Sequence, residues 1–140
     1  MATIKSYTNL EQSKKLAEIL PIESADMHYN NASIKGINYV DEYRAELMDY
    51  NTAQKVLSKY LINPMFEIIP CWSLAALLDA IPKHLKGDNV LRIDISETDT
   101  SIWYDEIGCG VNSNLPDITM ESIVDVCYEM IIKLHELNLL

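Results

Sequence analysis

Residues 70–82, Pro-Cys-Trp-Ser-Leu-Ala-Ala-Leu-Leu-Asp-Ala-Ile-Pro, decide which fold the rest of the chain has to build. They form the most hydrophobic stretch of the sequence, and Asp79 is their only charge. Large apolar residues recur at helical spacing, Pro70 suits a first helical turn, and Pro82 disfavours helical geometry just before it. The stretch therefore predicts a buried central helix of about three turns, too short for a membrane span of about 20 residues.

The composition favours one acidic domain over residues 1–140. A chain of 140 residues that is 49% hydrophobic has enough apolar side chains for one core and is too short for two independent ones. The formal charge of −10 repels phosphate backbones and anionic membrane surfaces, which argues against binding in a DNA or RNA groove and against a membrane partner. The N-terminal residues lack the apolar core of a secretion signal, which indicates the cytoplasm.

Cysteine and histidine spacing gives no sign of a metal site. Cys71, Cys109 and Cys127 are odd in number and contain no C-x-x-C pair, so buried free thiols are the expected state. The three histidines are far apart, and none stands four residues from another metal-ligand type. We expect neither a metal nor a cofactor.

The first half of the chain is predicted to contain two helices separated by a hairpin. Thr8 to Glu11 matches a capping box that starts a helix running to about Leu20. Two short strands are expected within residues 25–40, with a turn at 30–33 and a bulge at Gly36. Asp41 is expected to cap a helix that runs to about Tyr60, followed by an extended link at residues 66–69.

The second half is predicted to contain a hairpin and a final helix. Residues 90–95 alternate between apolar and polar, and residues 100–107 form the second strand of an antiparallel pair. A loop follows at 108–116, and a helix is expected from Thr119 to about Leu137, ended by a left-handed Asn138. The predicted fold class is α+β, a single domain in which antiparallel hairpins form a small sheet with amphipathic helices packed on one face.

Three stretches resemble a family of small uncharacterised proteins of gut bacteria and their phages and prophages. They are residues 20–27 (LPIESADM), 69–78 (IPCWSLAALL) and 129–137 (EMIIKLHEL). Segments around 30–65 and 97–115 depart from the shared pattern. The resemblance carries over no catalytic residue, but it implies the cytoplasm of a bacterial host and a small binder that blocks host defence.

Two groups of polar residues are candidates for chemistry near these stretches. Asp26 and His28 would share one face of a strand, as an acid–base pair or as a polar strand edge. Trp72 and Ser73 begin the central helix, where free N–H groups favour an anion such as a phosphate. The alternative there is a core tryptophan beside a capping serine.

The second hairpin supplies the remaining candidates. Trp103 and Tyr104 are expected on opposite faces of their strand, so at least one of them points away from the main core and is placed to stack on a nucleobase or enter a partner's pocket. Arg92, on the wet face of the adjacent strand, is the residue best placed to neutralise an anionic ligand. An ion pair with Asp105 or Glu106 is the alternative.

These candidates lead to three functional hypotheses. The first is a non-enzymatic, phage-associated binder that sequesters a small anionic, nucleotide-type signal. The second is an acidic interaction module that blocks a basic site on a host protein, either as a decoy for nucleic acid or as a plug formed by a homodimer or higher homo-oligomer. The third is a small hydrolase in which Asp26 and His28 provide general base catalysis. Since we prefer a binder to this hydrolase, we expect His28→Ala to leave any activity on the host intact and to change stability by at most about 1 kcal/mol if the residue is exposed.

Overall fold

The computed structural model describes residues 5–32, 39–60 and 67–140, and only the backbone of residues 32, 39–42 and 60. Its helices and antiparallel strands confirm the α+β class. The contacts divide the chain into two compact units, which we call the N-terminal unit (residues 7–76) and the C-terminal unit (residues 1–6 and 77–140). The prediction of one domain over residues 1–140 stays a prediction.

The N-terminal unit contains a three-stranded antiparallel sheet in the order β2-β1-β3. Its central strand is buried on both faces, because Met27 and Tyr29 alternate with His28 and Asn30 and all four lie inside. The helix α1 contacts β3, and α2 contacts β1 and β3. The elements are α1 (Leu10–Ala17), a 3₁₀ turn (Ile22–Ser24), β1 (Met27–Ala32), β2 (Tyr39–Glu46), α2 (Tyr50–Tyr60) and β3 (Ile68–Cys71).

The first helix begins one residue later than its sequence pattern predicted. The capping box is formed by Asn9 and Gln12, whose side chains bond each other's backbone N–H at 2.8 and 3.1 Å. Thr8 is unavailable as the cap because its hydroxyl is buried and bonded to Ser13 Oγ at 2.8 Å. Burial of the Thr8 side chain thus moves the helix start to Asn9.

The prediction for residues 30–49 was wrong in two places. Asn30 and Asn31, predicted as a turn, are buried residues of β1, and Asn31 Oδ1 accepts a bond from the Glu67 N–H at 2.6 Å. Asp41, predicted as a helix cap, lies in β2, and α2 is capped instead by Asp49, which accepts from the Thr52 N–H at 2.9 Å. Pairing with β1 overrides the local helical pattern here. The bulge predicted at Gly36 lies outside the described residues.

The proline-bracketed stretch is shorter as a helix than predicted. Pro70 belongs to β3, paired with His28, and the helix α3 covers Leu74–Ala80 only. Since β3 is an edge strand of its sheet, the missing N–H of Pro70 is tolerated there. Trp72, Leu77 and Ile81 are buried while Asp79 is exposed, so one side of α3 faces solvent.

The C-terminal unit contains a five-stranded antiparallel sheet with one long helix against it. The strands run in the order β4-β5-β6-β7, and β8 also pairs with β6. The helix α4 contacts β6 and β8 and buries Val124, Cys127 and Met130. The elements are β4 (His84–Leu85), β5 (Asn89–Ile95), β6 (Thr100–Glu106), β7 (Gly110–Val111), β8 (Ile118–Met120) and α4 (Ile123–Glu136).

The predicted second hairpin is confirmed as β5 and β6, with residues in register from Asn89↔Glu106 to Ile95↔Thr100. The two predicted hairpins therefore lie in two separate sheets. The last helix is capped by Ser122 and not by Thr119, which lies in β8 and bonds Ser101 across the strands at 2.7 Å. Asn138 has the predicted left-handed backbone, with φ of 57°.

Candidate functional site

The start of α3, where an anion site was predicted, holds the protein's own Asp26. The Asp26 carboxylate accepts hydrogen bonds from the Ser73 backbone N–H, at 2.9 Å, and from the Ser73 hydroxyl. The Ser73 hydroxyl oxygen in turn accepts from the Ala76 N–H at 3.2 Å, so Ser73 caps the helix. Because a carboxylate already occupies this positive helix end, Asp26 and Ser73 serve the fold here and do not offer a phosphate site.

Trp72 is a core residue of the N-terminal unit. It has no solvent-exposed surface, and its indole N–H donates to Ser24 Oγ at 2.9 Å. Its backbone N–H donates to Thr8 Oγ1 at 3.2 Å, while its carbonyl accepts from the Thr8 N–H at 3.0 Å. A ring enclosed in this way cannot stack on a ligand from solvent, which favours the core alternative for Trp72.

His28 lies within a buried chain of hydrogen bonds. Its Nδ1 is 2.6 Å from the Met48 carbonyl, and its Nε2 is 2.9 Å from Asn30 Nδ2. Arg44 donates to Asn30 Oδ1 at 3.3 Å, which fixes the amide so that Asn30 Nδ2–H points to the histidine. Because a carbonyl only accepts, Nδ1 carries a proton and Nε2 accepts. The ring is therefore held in one orientation, with Nδ1–H directed at the Met48 carbonyl.

The predicted acid–base pair of Asp26 and His28 is not assembled. The Asp26 carboxylate is bonded to Ser73, while both imidazole nitrogens of His28 are bonded within the network and the side chain is 1% exposed. Among the residues that the structure describes, the carboxylate within 4 Å of the imidazole is that of Glu46, whose Oε2 lies 3.7 Å from Nε2. A general base needs access to its substrate, so this geometry does not support the hydrolase hypothesis.

The sheet of the C-terminal unit has one open face, built around Trp103. Along β6, Ile102 and Tyr104 are fully buried and belong to the α4 side, whereas Trp103 and Asp105 are half-buried on the other side. Arg92 is directly opposite Trp103 on β5. We call five of the residues on this side, grouped around Trp103 and Asp105, the Trp103 face: Val90, Arg92, Trp103, Asp105 and Val111.

One carboxylate fixes the two largest side chains of the Trp103 face. Asp105 Oδ1 accepts from the Trp103 indole N–H at 2.8 Å, and Asp105 Oδ2 lies 3.3 Å from Arg92 Nε. The Arg92 side chain is 56% exposed and the Asp105 side chain 28%. Arg92 therefore forms the ion pair that was the sequence alternative, and the indole ring is held in one orientation while part of it faces solvent.

Tyr104, predicted as a ligand-binding residue, is fully buried on the opposite side of the strand from Trp103. Its hydroxyl donates to the Pro82 carbonyl at 2.6 Å. Burial raises the pKa of Tyr104 to about 12, because the phenolate would lose its hydration. Tyr104 is thus a core residue and is not part of a ligand surface.

Of the seven residues predicted to form a site, the structure joins Arg92 with Trp103 and joins Asp26 with Ser73, in different units. From the sequence, Asp105 was predicted only as an alternative ion-pair partner of Arg92. Val111 was left unassigned, inside a predicted loop. Two-residue alternation along β6 was the signal for Asp105, whereas Val111 joins the face through the short pairing of β7 with β6.

The other described residues with metal-binding or nucleophilic side chains do not form a further candidate site. Among the described residues there is no group of three His, Cys, Asp or Glu side chains that would hold a metal ion. Cys71 and Cys127 are buried free thiols, as predicted, and burial raises the pKa of both, that of Cys127 to about 11. Cys109, predicted with them, is exposed. No described helix has the length and apolar character needed to cross a bilayer.

Comparisons with known proteins add no family. No protein-family model, curated protein or solved structure matches the chain. The resemblance of the three sequence stretches to small phage and prophage proteins therefore stays a prediction.

Proposed function

We propose that the protein is a non-enzymatic binding protein that uses the Trp103 face to occupy a basic site on a host protein. The observation that carries the proposal is the Asp105 carboxylate, which holds the half-exposed Trp103 indole and the Arg92 guanidinium side by side. Tryptophan and arginine are the residues that most often dominate binding energy at protein interfaces. Because the ring is fixed before binding, little side-chain entropy is lost when a partner covers it.

The negative charge of residues 77–140 indicates a basic partner. Twelve of the 21 Asp and Glu residues lie between residues 77 and 140, against four of the 11 Lys and Arg residues. The formal charge of this part of the chain is therefore −8 of the total −10. Such a surface attracts and orients a basic partner and repels nucleic acid.

The experiment uses the full-length protein as bait in a bacterial lysate, followed by calorimetry with the purified partner. Capture alone does not support the proposal. We expect Trp103→Ala to raise the dissociation constant about 30-fold, the loss of affinity typical of an interface hot-spot residue. Leu47→Ala, which shortens an 87% exposed leucine in the N-terminal unit, is the matched control and should leave the dissociation constant unchanged. Affinity should also fall as salt is raised from about 50 to 300 mM.

The result that would contradict the proposal is a partner bound equally well by wild type and by Trp103→Ala. A neutral or acidic partner whose affinity does not respond to salt would contradict the charge argument. Circular dichroism of both variants shows whether a loss of binding reflects a loss of folding.

A nucleotide-type ligand is the second candidate, and the cross-strand placement of Arg92 beside Trp103 favours it. An arginine with an aromatic ring supplies a phosphate contact and a stacking surface for a base. Two features oppose it, since Arg92 is already paired with Asp105 and this part of the chain carries a charge of −8. Thermal stabilisation by mono-, di- or cyclic nucleotides that disappears in both Arg92→Ala and Trp103→Ala would favour the nucleotide over the protein partner.

A further inference from the structure

The strand β5 has a strand neighbour along only part of one edge. It pairs with β6 over its full length, but with β4 only through Asn89 and Val90. The Leu91 N–H donates to the Lys83 carbonyl at 2.9 Å, so the main-chain groups of Leu91 point toward the β4 side. From Arg92 to Ile95 no described strand lies on that side.

Alternation along β5 shows which main-chain groups face the open edge. In an antiparallel pair, the N–H and C=O of one residue point to the same side, and residues two apart repeat that direction. The N–H and C=O groups of Ile93 and Ile95 therefore face the same side as those of Leu91, away from β6. The Ile93 and Ile95 side chains are 37% and 66% exposed. This is an open ladder next to exposed apolar side chains.

We infer that the edge from Arg92 to Ile95 accepts an extended segment of a partner protein as an added strand, with Lys or Arg alternating with apolar residues in that segment. The inference rests on the proposed function in taking the partner to be basic, and it adds a main-chain contact. Apolar residues of the segment cover Ile93 and Ile95, which lie on the α4 side of the sheet because Ile93 is opposite the buried Ile102. Strand addition of this kind joins main-chain hydrogen bonds with alternate side-chain contacts.

Exposed carboxylates at this edge favour Lys or Arg in the added segment. Asp94 is exposed on the same side of the sheet as Arg92, and Glu97 is exposed just beyond the strand. Within the described part of the chain, neither carboxylate forms an ion pair. A Lys or Arg directly opposite Asp94 would lie at the distance at which cross-strand pairs of opposite charge stabilise a sheet.

A second copy of the chain fits this edge less well. A two-fold pairing centred on Ile93 would place Arg92 opposite Asp94 of the copy, which is favourable. The same register would place Ile95 of the copy opposite Leu91. That position is already occupied by Lys83, whose carbonyl accepts a hydrogen bond from the Leu91 N–H. A separate segment that ends before this position meets no such obstruction.

The test measures binding of a fluorescent seven-residue peptide of alternating Lys and Val to the full-length protein by anisotropy. Ile93→Pro removes the outward N–H and leaves the β5–β6 bonds in place, because that N–H does not point to β6. We expect at least tenfold weaker binding for Ile93→Pro. Ile93→Thr, which keeps the N–H and the branched Cβ, should bind within threefold of wild type, and a peptide with Glu in place of Lys should not bind.

Hydrogen exchange gives a readout that does not depend on how Ile93→Pro folds. In wild-type protein the Ile93 and Ile95 amides should exchange at least tenfold more slowly when the peptide is present. Equal affinity for wild type and Ile93→Pro, or unprotected Ile93 and Ile95 amides, would overturn the inference. A homodimer that Ile93→Pro dissociates in light scattering would also overturn it, because the edge would then belong to a second copy.

The same variants separate this inference from the proposed function. A host partner that is lost with Trp103→Ala but retained by Ile93→Pro leaves the Trp103 face standing and refutes strand addition. A partner bound equally by Trp103→Ala and wild type refutes the Trp103 face, whatever the peptide does.

Discussion

Replacing His28 by Ala tests whether the buried network of the N-terminal unit is structural. The substitution leaves the Met48 carbonyl and Asn30 Nδ2–H without their partner at a site that is 1% exposed. Each buried polar group left unpaired costs about 1–3 kcal/mol. The lower end of that range for both groups, with about 1 kcal/mol more for the void, predicts that the free energy of unfolding falls by about 3 kcal/mol. The sequence-based limit of about 1 kcal/mol applied only to an exposed histidine.

The assay is urea unfolding followed by tryptophan fluorescence in a Trp103→Phe background, so that the signal comes from Trp72, in the same unit as His28. His84→Ala is the matched control, since His84 is exposed, and it should change the free energy by no more than about 0.5 kcal/mol. Host-partner binding, measured per folded molecule, should be the same for His28→Ala and wild type.

The reasoning would be refuted by a His28→Ala protein that unfolds within about 1 kcal/mol of wild type, because the hydrogen bonds to Asn30 and Met48 would then contribute little. A folded His28→Ala protein that loses about a hundredfold of some enzymatic activity would instead restore His28 as a general base.

Three further predictions concern the cysteine thiols, Tyr104 and Ser73. Ellman's reagent should modify Cys109 at once in the folded protein, and Cys71 and Cys127 only after unfolding; rapid reaction of a second thiol would contradict their burial. Because the folded-state pKa of Tyr104 is raised to about 12 while an unfolded tyrosine ionises near 10, its contribution to stability is complete below about pH 10 and is lost as the pH rises toward 12. Absorbance titration at alkaline pH should show one tyrosine fewer in the highest step for Tyr104→Phe, and an unchanged step would place this pKa elsewhere. Ser73→Ala should lower the free energy of unfolding by about 1 kcal/mol through loss of the α3 cap, whereas Ser73→Thr should retain most of it; equal stability of the two variants in urea would argue against capping.

The sequence by itself determined the elements whose signals are local. The alternation of residues 90–95 with a turn after them specified the β5–β6 hairpin, since side chains on a strand repeat every two residues. The same rule placed Trp103 and Tyr104 on opposite faces. The apolar stripe of α4 and the left-handed Asn138 were also readable, because helix faces and caps depend on residues within a few positions of one another.

Only the tertiary structure decided the elements that depend on distant partners. Pro70 reads as a helix start, but it lies in β3 because that strand completes a sheet with β1, more than 40 residues earlier in the chain. Asn30 has the residue type of a turn, but its hydrogen bonds with Arg44 and His28, both distant or buried in the fold, make it part of a buried network.

The candidate site followed the same division. Residue types drew attention to Trp72, Ser73, Arg92 and Trp103 together, because a tryptophan, a helix start and an arginine each suit an anion. The fold assigns Trp72 to a core and closes the Ser73 helix end with Asp26. Arg92 and Trp103 remain on an open face, where Asp105 binds both. Spacing along the chain fixes which face of a strand a side chain occupies, whereas its burial and its partners depend on which distant segments pack against that face.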